Sequence, residues 1–445
     1  MAACRWFVLP LLVGCLSGCF GPKGHEISEI SGEGSDVASA EPLSFAETDW
    51  PFWRGPRGDG HAPSQPAATE WNDSTNVAWQ SDVPGRGHSS PTVVGERVYL
   101  ATAIETESRQ AVLAYDRATG ERLWETTVHT GGLPDDGQIH RKATRANSTV
   151  AFAEGSLFAS FLNDDHVWVT ALDLDGNTIW QRDIGPFSSK FGFAPSPIPY
   201  RSLIIVAADN QGGGYLAGLD RASGEIVWRT SRPALSSYSS PLIAEIAGRD
   251  QLVICGCHTV TAYDPATGKE LWSCDGTAEG TCGTPVTDGT HVFASGGYPQ
   301  RETLCVKGDG SGEKVWSERT KLYEPSLIVA GDHLYGVTDD GVAMCWSNAD
   351  GQVVWRERLG GSFSASPVHC DGRIYVPNLE GQTIVFAADP KGFRLLARNA
   401  LGNDAYASPA ICGGEIFLRI GVGNGGDRRE RLVKIASAEN RSATD

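Results

Sequence analysis

A chain of 445 residues with a formal net charge of −17 is long enough to bury a large core and too acidic to be drawn to nucleic acid or an anionic lipid surface. Its 53 glycines and 24 prolines punctuate runs of aromatic and β-branched residues, the composition of many short strands joined by tight turns. The length allows two or three average domains, yet a repeat fold of this size is often one body.

The first nineteen residues, "MAACRWFVLPLLVGCLSGC", carry one early positive charge, a short apolar stretch and small residues before a cysteine. That pattern is an export leader rather than a membrane span. "LSGC" at Leu16 to Cys19 resembles the bacterial lipobox, which makes residues 1–18 the signal peptide and Cys19 the lipid-modified first residue of the mature protein. An ordinary secretory peptide is the alternative, and "LVGC" ending at Cys15 is a second match with a shorter apolar region. Phe20 rather than Asp follows Cys19, so the resemblance implies an outer-membrane anchor on the periplasmic side.

Residues 19–48, poor in large apolar side chains and rich in Gly, Ser and Glu, read as a disordered tether reaching about 30 Å. Residues 437–445 read as a disordered tail. Setting aside Cys4, Cys15 and Cys19 leaves eight cysteines. Only Cys274 and Cys282, on either side of a short loop, are placed to meet; buried free thiols are expected elsewhere.

From residue 49 onward one phrase recurs: "AYDRATGERLW" at 114–124, "ALDLDGNTIW" at 171–180, "GLDRASGEIVW" at 218–228 and "AYDPATGKELW" at 262–272. It decays to "CVKGDGSGEKVW" at 305–316 and "CWSNADGQVVW" at 345–355. Each is preceded by a line such as "SSPTVVGERVYL" or "ASPVHCDGRIYV", two apolar strands around a turn, and eight such lines are present. Each unit is thus a four-stranded antiparallel meander that buries both faces only by radial stacking.

The fold expected is all-β: an eight-bladed β-propeller of four-stranded antiparallel blades over residues 49–436. Trp124, Trp180, Trp228, Trp272, Trp316 and Trp355 close successive units, and Leu396 stands at that place in the seventh. The eighth unit runs out after three strands, and Trp79 lies in a fourth strand without its own first three. Pairing the N-terminal strand with the C-terminal blade resolves both oddities.

The "AxDxxTGxxxW" phrase resembles that of the pyrroloquinoline-quinone (PQQ)-type repeat propellers over residues 50–436. Two characterised branches of that family are the quinoprotein alcohol dehydrogenases and the BamB lipoprotein scaffold of the β-barrel assembly machinery. "WPFWRGPRGDG" at 50–60, with "GGSFSASPVHCDGRIYV", is similar to a large group of planctomycete-type PQQ-like proteins, which implies a fold but no reaction. The dehydrogenase branch implies a quinone stacked on a Trp over the ring axis, with calcium, an Asp base and two adjacent cysteines. This sequence has no adjacent cysteine pair, and "CGCHT" at 255–259 is not the "CxxCH" of a haem domain. PQQ with calcium is therefore the alternative cofactor reading, and no cofactor or resident metal is the main one.

No "HExxH", "GxSxG" or phosphate-loop pattern is present. "GVGNGGDRRER" at 421–431 reads as a surface hairpin in the last blade, and "DLDGN" at 173–177 as a turn. The segments before each innermost strand should ring the channel mouth, among them "GRGHSS", "HRKATRANS", "SSKFGFAPS", "SSYSS" and "KLYEP". They nominate Arg86, His88, His140, Lys142, Arg145, Lys190, Tyr238 and Tyr323 as a binding rim, with the basic members supplying positive charge for an anion or an acidic partner segment. Solvated loop residues capping strand ends are the alternative. His88, His129 and His140 would bind a metal only by converging. The long loop 129–145 is expected to touch a partner. The functional expectation is a monomeric, membrane-tethered scaffold that binds envelope proteins as BamB-like propellers do; a PQQ-dependent oxidoreductase and a small-ligand sensor are the other two classes.

Overall fold

The computed structural model describes residues 24 to 437 apart from 26 and 64, so the leader, Cys19 and the last eight residues lie outside the described residues. The strands form eight separate four-stranded antiparallel sheets. Seven are consecutive meanders: blades 1 to 7 span 92–130, 151–186, 198–232, 242–275, 286–318, 328–358 and 368–400. Blade 8 takes Ala410–Cys412, Glu415–Val422 and Arg429–Ala436 from the C-terminus and Val77–Val83 from the N-terminal region as its outermost strand. Val77 faces Ile435 and Val83 faces Glu430, which closes the ring as expected.

The middle strands show why the blades stack. Arg97–Ile104 and Arg109–Asp116 are buried almost throughout, because both faces of the sheet meet a neighbouring blade. The outermost strands are half exposed and leave Leu123, Ile179, Val315, Val353, Val354 and Leu395 in contact with solvent.

The recurrent phrase locks neighbouring blades. Asp116 accepts from the backbone N–H groups of Ala118 and Thr119 and from the Thr119 hydroxyl, folding the turn. Asp220 does the same for Ala222 and Ser223 in blade 3. The indole of Trp79 donates to the Arg117 carbonyl in the next blade, Trp124 to Leu174, Trp180 to Arg221, Trp228 to Pro265, Trp316 to Asn348 and Trp355 to Asp389. Trp272 departs from the pattern: it donates to Gln251 Oε1 at 2.7 Å, and Gln251 Nε2 carries the link on to the Gly308 carbonyl of blade 5.

In every phrase but that of blade 5, the glycine lies flush against the previous blade's tryptophan. Gly120, Gly176 and Gly224 have φ of 76°, 86° and 72°, and a Cβ there would stand 2.6 to 2.8 Å from the indoles of Trp79, Trp124 and Trp180. Only glycine supplies both the left-handed conformation and the missing volume.

The segment 49–63 has no counterpart in the repeat and fills the axial channel. Trp50 exchanges backbone hydrogen bonds with Val93 of blade 1, and the Pro51 carbonyl accepts from Phe152 of blade 2. Arg54 Nη2 donates to the Leu327 carbonyl of blade 6, and Gly60 and Ala62 bracket His369 of blade 7. The chain then leaves along blade 7, where Trp71 stacks at 6.5 Å on Tyr375 and donates its backbone N–H to Asn399 Oδ1.

Residues 24–48, expected as a tether, lie along the rim. Ile30 exchanges two backbone hydrogen bonds with Arg229 on the outermost strand of blade 3. A five-residue helix, Ser35–Ser39, buries Val37, and Arg201 holds the carbonyls of Ala38 and Ala40. Low overall hydrophobicity hid the few side chains, Ile27, Val37, Leu43 and Phe45, that dock there.

The Cys274–Cys282 pairing that the sequence left open is not made. Both are free thiols, as are the other six cysteines among the described residues. Cys274 sits on an outermost strand while Cys282 lines the axial channel, so the loop between them crosses the blade from rim to axis.

Two stability outcomes follow. Trp228→Ala should cost about 3–5 kcal/mol, and Gly268→Ala, whose new methyl would collide with the Trp228 ring, about 2–3 kcal/mol. Urea unfolding measures both, and a loss under 1 kcal/mol for either would refute the interlock.

The second outcome concerns pH. Burial and the adjacent His61 push the His369 imidazole down to about 4. Unfolded imidazole titrates near 6.5, so between these values the unfolded chain holds a proton that the folded chain refuses. The His369 contribution is full above about pH 6.5 and falls by about 3 kcal/mol as pH drops towards 4. His369→Gln should therefore flatten the urea midpoint against pH over that window, with a residual slope from His129, also depressed to about 4 by burial. An unchanged slope would count against the assignment.

Candidate functional site

The innermost strand of each blade is preceded by one hydroxyl residue: Ser90, Thr149, Ser196, Ser240, Thr284, Ser326, Ser366 and Ser408. Around the ring, the backbone N–H of one donates to the side-chain oxygen of the next at 2.8 to 3.1 Å, across seven of the eight blade junctions. Between blades 4 and 5, the Thr284 hydroxyl instead accepts from the indole N–H of Trp53 at 2.8 Å. Trp53 thus makes the floor of an axial chamber of about 160 Å³ whose wall includes Ser90, Ser196, Ser240, Ser366 and Ser408 of this ring.

The roof is a strap. The connection from blade 1 to blade 2 carries Lys142, and the connection into blade 6, diametrically opposite, carries Glu324; the two meet at 2.8 Å across the mouth. Asp339 receives the backbone N–H groups of Tyr323 and Glu324, both at 2.9 Å, and so sets the acidic end of this clasp. Burial raises the Asp339 carboxyl, and those two hydrogen bonds oppose the rise.

Of the residues nominated from sequence, His88, His140, Lys142, Tyr238 and Tyr323 stand on the chamber wall. The other three do not. Arg145 turns back into its own loop, bonded to Glu105, Asp136 and the Pro134 carbonyl. Lys190 lies over the Phe191 ring and 3.9 Å from Glu279, and Arg86 faces the seam between blades 8 and 1. Lys142, Arg145 and Lys190 each carry an acidic partner that lies far along the chain or in the same loop. Nor do the three histidines converge, because His129 packs edge-on against Phe161 and Trp168.

His88 stacks on Tyr406 with centroids 4.3 Å apart and planes 3° from parallel. Burial, followed by the positive charges of Arg86, Arg419 and Arg428, holds its imidazole well below the ordinary value, so it is neutral at physiological pH. Burial likewise pushes the Tyr238 and Cys282 groups up, leaving a phenol and a thiol rather than their anions. Trp53, Phe191, Cys282, Glu324 and Tyr406 escaped the sequence reading. Phe191 and Glu324 sat inside the quoted mouth segments, and Trp53 was marked by the additional motif.

The wall offers aromatic faces and hydrogen-bonding groups rather than an activated nucleophile. It does not fit a calcium-quinone pair. Calcium takes six to eight oxygens, whereas Glu324 is the one carboxylate on the wall and it is held by Lys142; Cys282 is its one thiol. Among the described residues no group of three His, Cys, Asp or Glu side chains is placed to hold a metal.

Comparison with known proteins agrees with this architecture. In the solved structures, BamB from Moraxella catarrhalis superposes with a TM-score of 0.59 at 15% identity, covering 81% of this chain and 97% of that one. The quinohemoprotein alcohol dehydrogenase of Comamonas testosteroni superposes with a TM-score of 0.64 at 11% identity, covering 90% and 82%. At such identities these likenesses show the fold alone. The outer membrane protein assembly factor BamB of Burkholderia pseudomallei is 24% identical over 267 residues, which span 59% of this chain and 64% of that protein. A family model described as outer membrane protein assembly factor BamB matches residues 62–186, 108–357 and 309–393. With the eight-bladed ring and its "TG…W" interlock, these matches establish that the chain belongs to that family of PQQ-like repeat propellers.

Proposed function

We propose that this protein is a scaffold of the cell envelope, held to the periplasmic face of the outer membrane through lipid on Cys19, that binds an extended segment of a partner protein in outer-membrane protein assembly. One observation carries the reading. The outermost strand of blade 3 already takes up an extended segment, residues 27–32 of the same chain, through the paired hydrogen bonds of Ile30 and Arg229. The matching strands of blades 1, 2, 5, 6 and 7 keep an open edge with an exposed aliphatic residue, Ile179 being 49% exposed. An open edge supplies backbone hydrogen bonds to any extended chain, and the aliphatic side chains supply apolar contact; that is strand addition. The roofed channel mouth supports the rim over the axis as the docking surface, since a segment entering the axis would first have to part Lys142 from Glu324.

The test is photocrosslinking in intact cells. A photoreactive residue at position 179 or 354 should yield adducts with outer-membrane assembly proteins, and one at Glu380, beside the mouth, should yield none. Cys19→Ser should move the protein from the membrane to the soluble periplasmic fraction. Adducts confined to position 380, or their absence from every rim position, would sink the proposal.

A small-ligand function has one specific observation behind it. His88 Nε2 and Tyr238 Oη are buried at the chamber wall with no hydrogen-bond partner among the described residues, a costly state that a bound polar molecule relieves. Ligand-dependent melting abolished by Trp53→Ala would favour it over the scaffold alone.

A further inference from the structure

Where the ring closes, between blades 8 and 1, lies a groove of about 1070 Å³ that neither the edge strands nor the axial chamber uses. One wall is the N-terminal strand of blade 8 and its continuation, residues 81–86. The other is blade 1, from the Gly120–Arg122 turn at one end to Glu105 and Thr106 at the other. The rim is completed by the "GVGNGGDRRER" hairpin, whose Gly426, Arg428, Arg429 and Glu430 face the groove. The sequence reading made that motif a surface hairpin, and it is one: a 3₁₀ turn at Gly425–Asp427 joins two strands of blade 8.

Four arginines line this groove, Arg86, Arg122, Arg428 and Arg429, on a protein whose net charge is −17. The acids that share it are already engaged. Glu430 is held by Arg419 and Arg428, Asp82 by Arg431, and Glu105 by Arg145. Arg428 is further bound by Asp404, and Arg122 by Glu125. Among the described residues Arg86 and Arg429 have no ion-pair partner, and Arg86 Nε is buried without any hydrogen bond.

We propose that the seam groove is a docking site for an extended, carboxylate-rich segment of a partner protein, whose acids are received by Arg86 and Arg429. A guanidinium with an unused fork of N–H groups matches a carboxylate in two-point geometry. Its lining reaches from Glu105 and Thr106 to Gly120 and Arg122, the segments flanking the eight-residue strand Arg109–Asp116, about 26 Å at about 3.3 Å per residue, which is the span of seven or eight extended residues and far beyond a single phosphate. Val83, Pro84, Ile104 and Tyr115 give it apolar floor between the charges. The groove borders one open rim edge, since Arg122 begins the outermost strand of blade 1, but its test reads Arg86 and Arg429, neither of which lies on an open edge, so its failure is distinguishable from that of the scaffold reading.

The test is fluorescence anisotropy with a fluorescein-labelled octaglutamate peptide on the mature protein at low salt, with octalysine and a Gly-Ser octamer as controls. Octaglutamate should bind in preference to the Gly-Ser octamer, despite the acidic body, and weaken as salt rises. Arg86→Gln with Arg429→Gln should raise the Kd about tenfold or more, and Arg57→Gln, on the exposed end of the axial segment, should leave it unchanged. Arg429 is exposed, so Arg429→Gln alone, with an unaltered melting temperature, carries the test if the Arg86 variant misfolds. No preference for octaglutamate in the parent protein, an affinity unmoved by these substitutions, or full displacement by inorganic phosphate would each overturn the proposal.

Discussion

The contact between a tryptophan on one blade and the glycine turn of the next is the constraint on which the whole ring depends. A four-stranded sheet buries neither face by itself, and apolar area alone does not say at what angle two sheets should meet. The indole does, because its N–H must reach one carbonyl while its face lies on one glycine. Trp124 on Leu174 and Gly176, and Trp180 on Arg221 and Gly224, are the same joint at successive angles. The hydroxyl ring repeats the device at the axis, where at seven of the eight junctions one blade's N–H is satisfied by its neighbour. Rim and axis together define one wedge angle, and eight wedges close.

Where the joint changes, the chain compensates with residues from elsewhere. Gln251 relays the bond of Trp272, because blade 5 presents no glycine beneath that indole. Blade 7 carries Leu396 in place of a tryptophan, and Trp71 of the N-terminal region packs on Tyr375 and Asn399 of that blade. The gap in the hydroxyl ring at Thr284 is occupied by Trp53.

The ring was legible in sequence because its joints are local: an Asp, a Gly and a Trp within a dozen residues report the fold before any contact is known. The strand of blade 8 supplied by Val77–Val83 was legible for the same reason, as an orphan Trp79 and a blade one strand short. What sequence did not disclose is held by distant partners. Lys142 and Glu324 read as separate mouth residues, one basic and one acidic, until the ring sets them face to face. Trp53 sits in a segment without period, so nothing in "WPFWRGPRGDG" says that it lies on the axis. The docked residues 27–45 are a handful of aliphatic and aromatic side chains in polar surroundings, a pattern that composition averages away.

The closure of blade 8 gives the protein a history as well as a shape. Its outermost strand, Val77–Val83, is separated from its partner, Arg429–Ala436, by almost the whole of the propeller. Until that final strand arrives, Val77–Val83 has no hydrogen-bonded neighbour, and residues 49–63 have no closed channel to occupy. Folding is therefore slow to commit and relies on contacts of the longest sequence separation the chain allows. A molecule whose ring is still open presents unpaired edges on both of these strands, the state in which aggregation and proteolysis compete with folding.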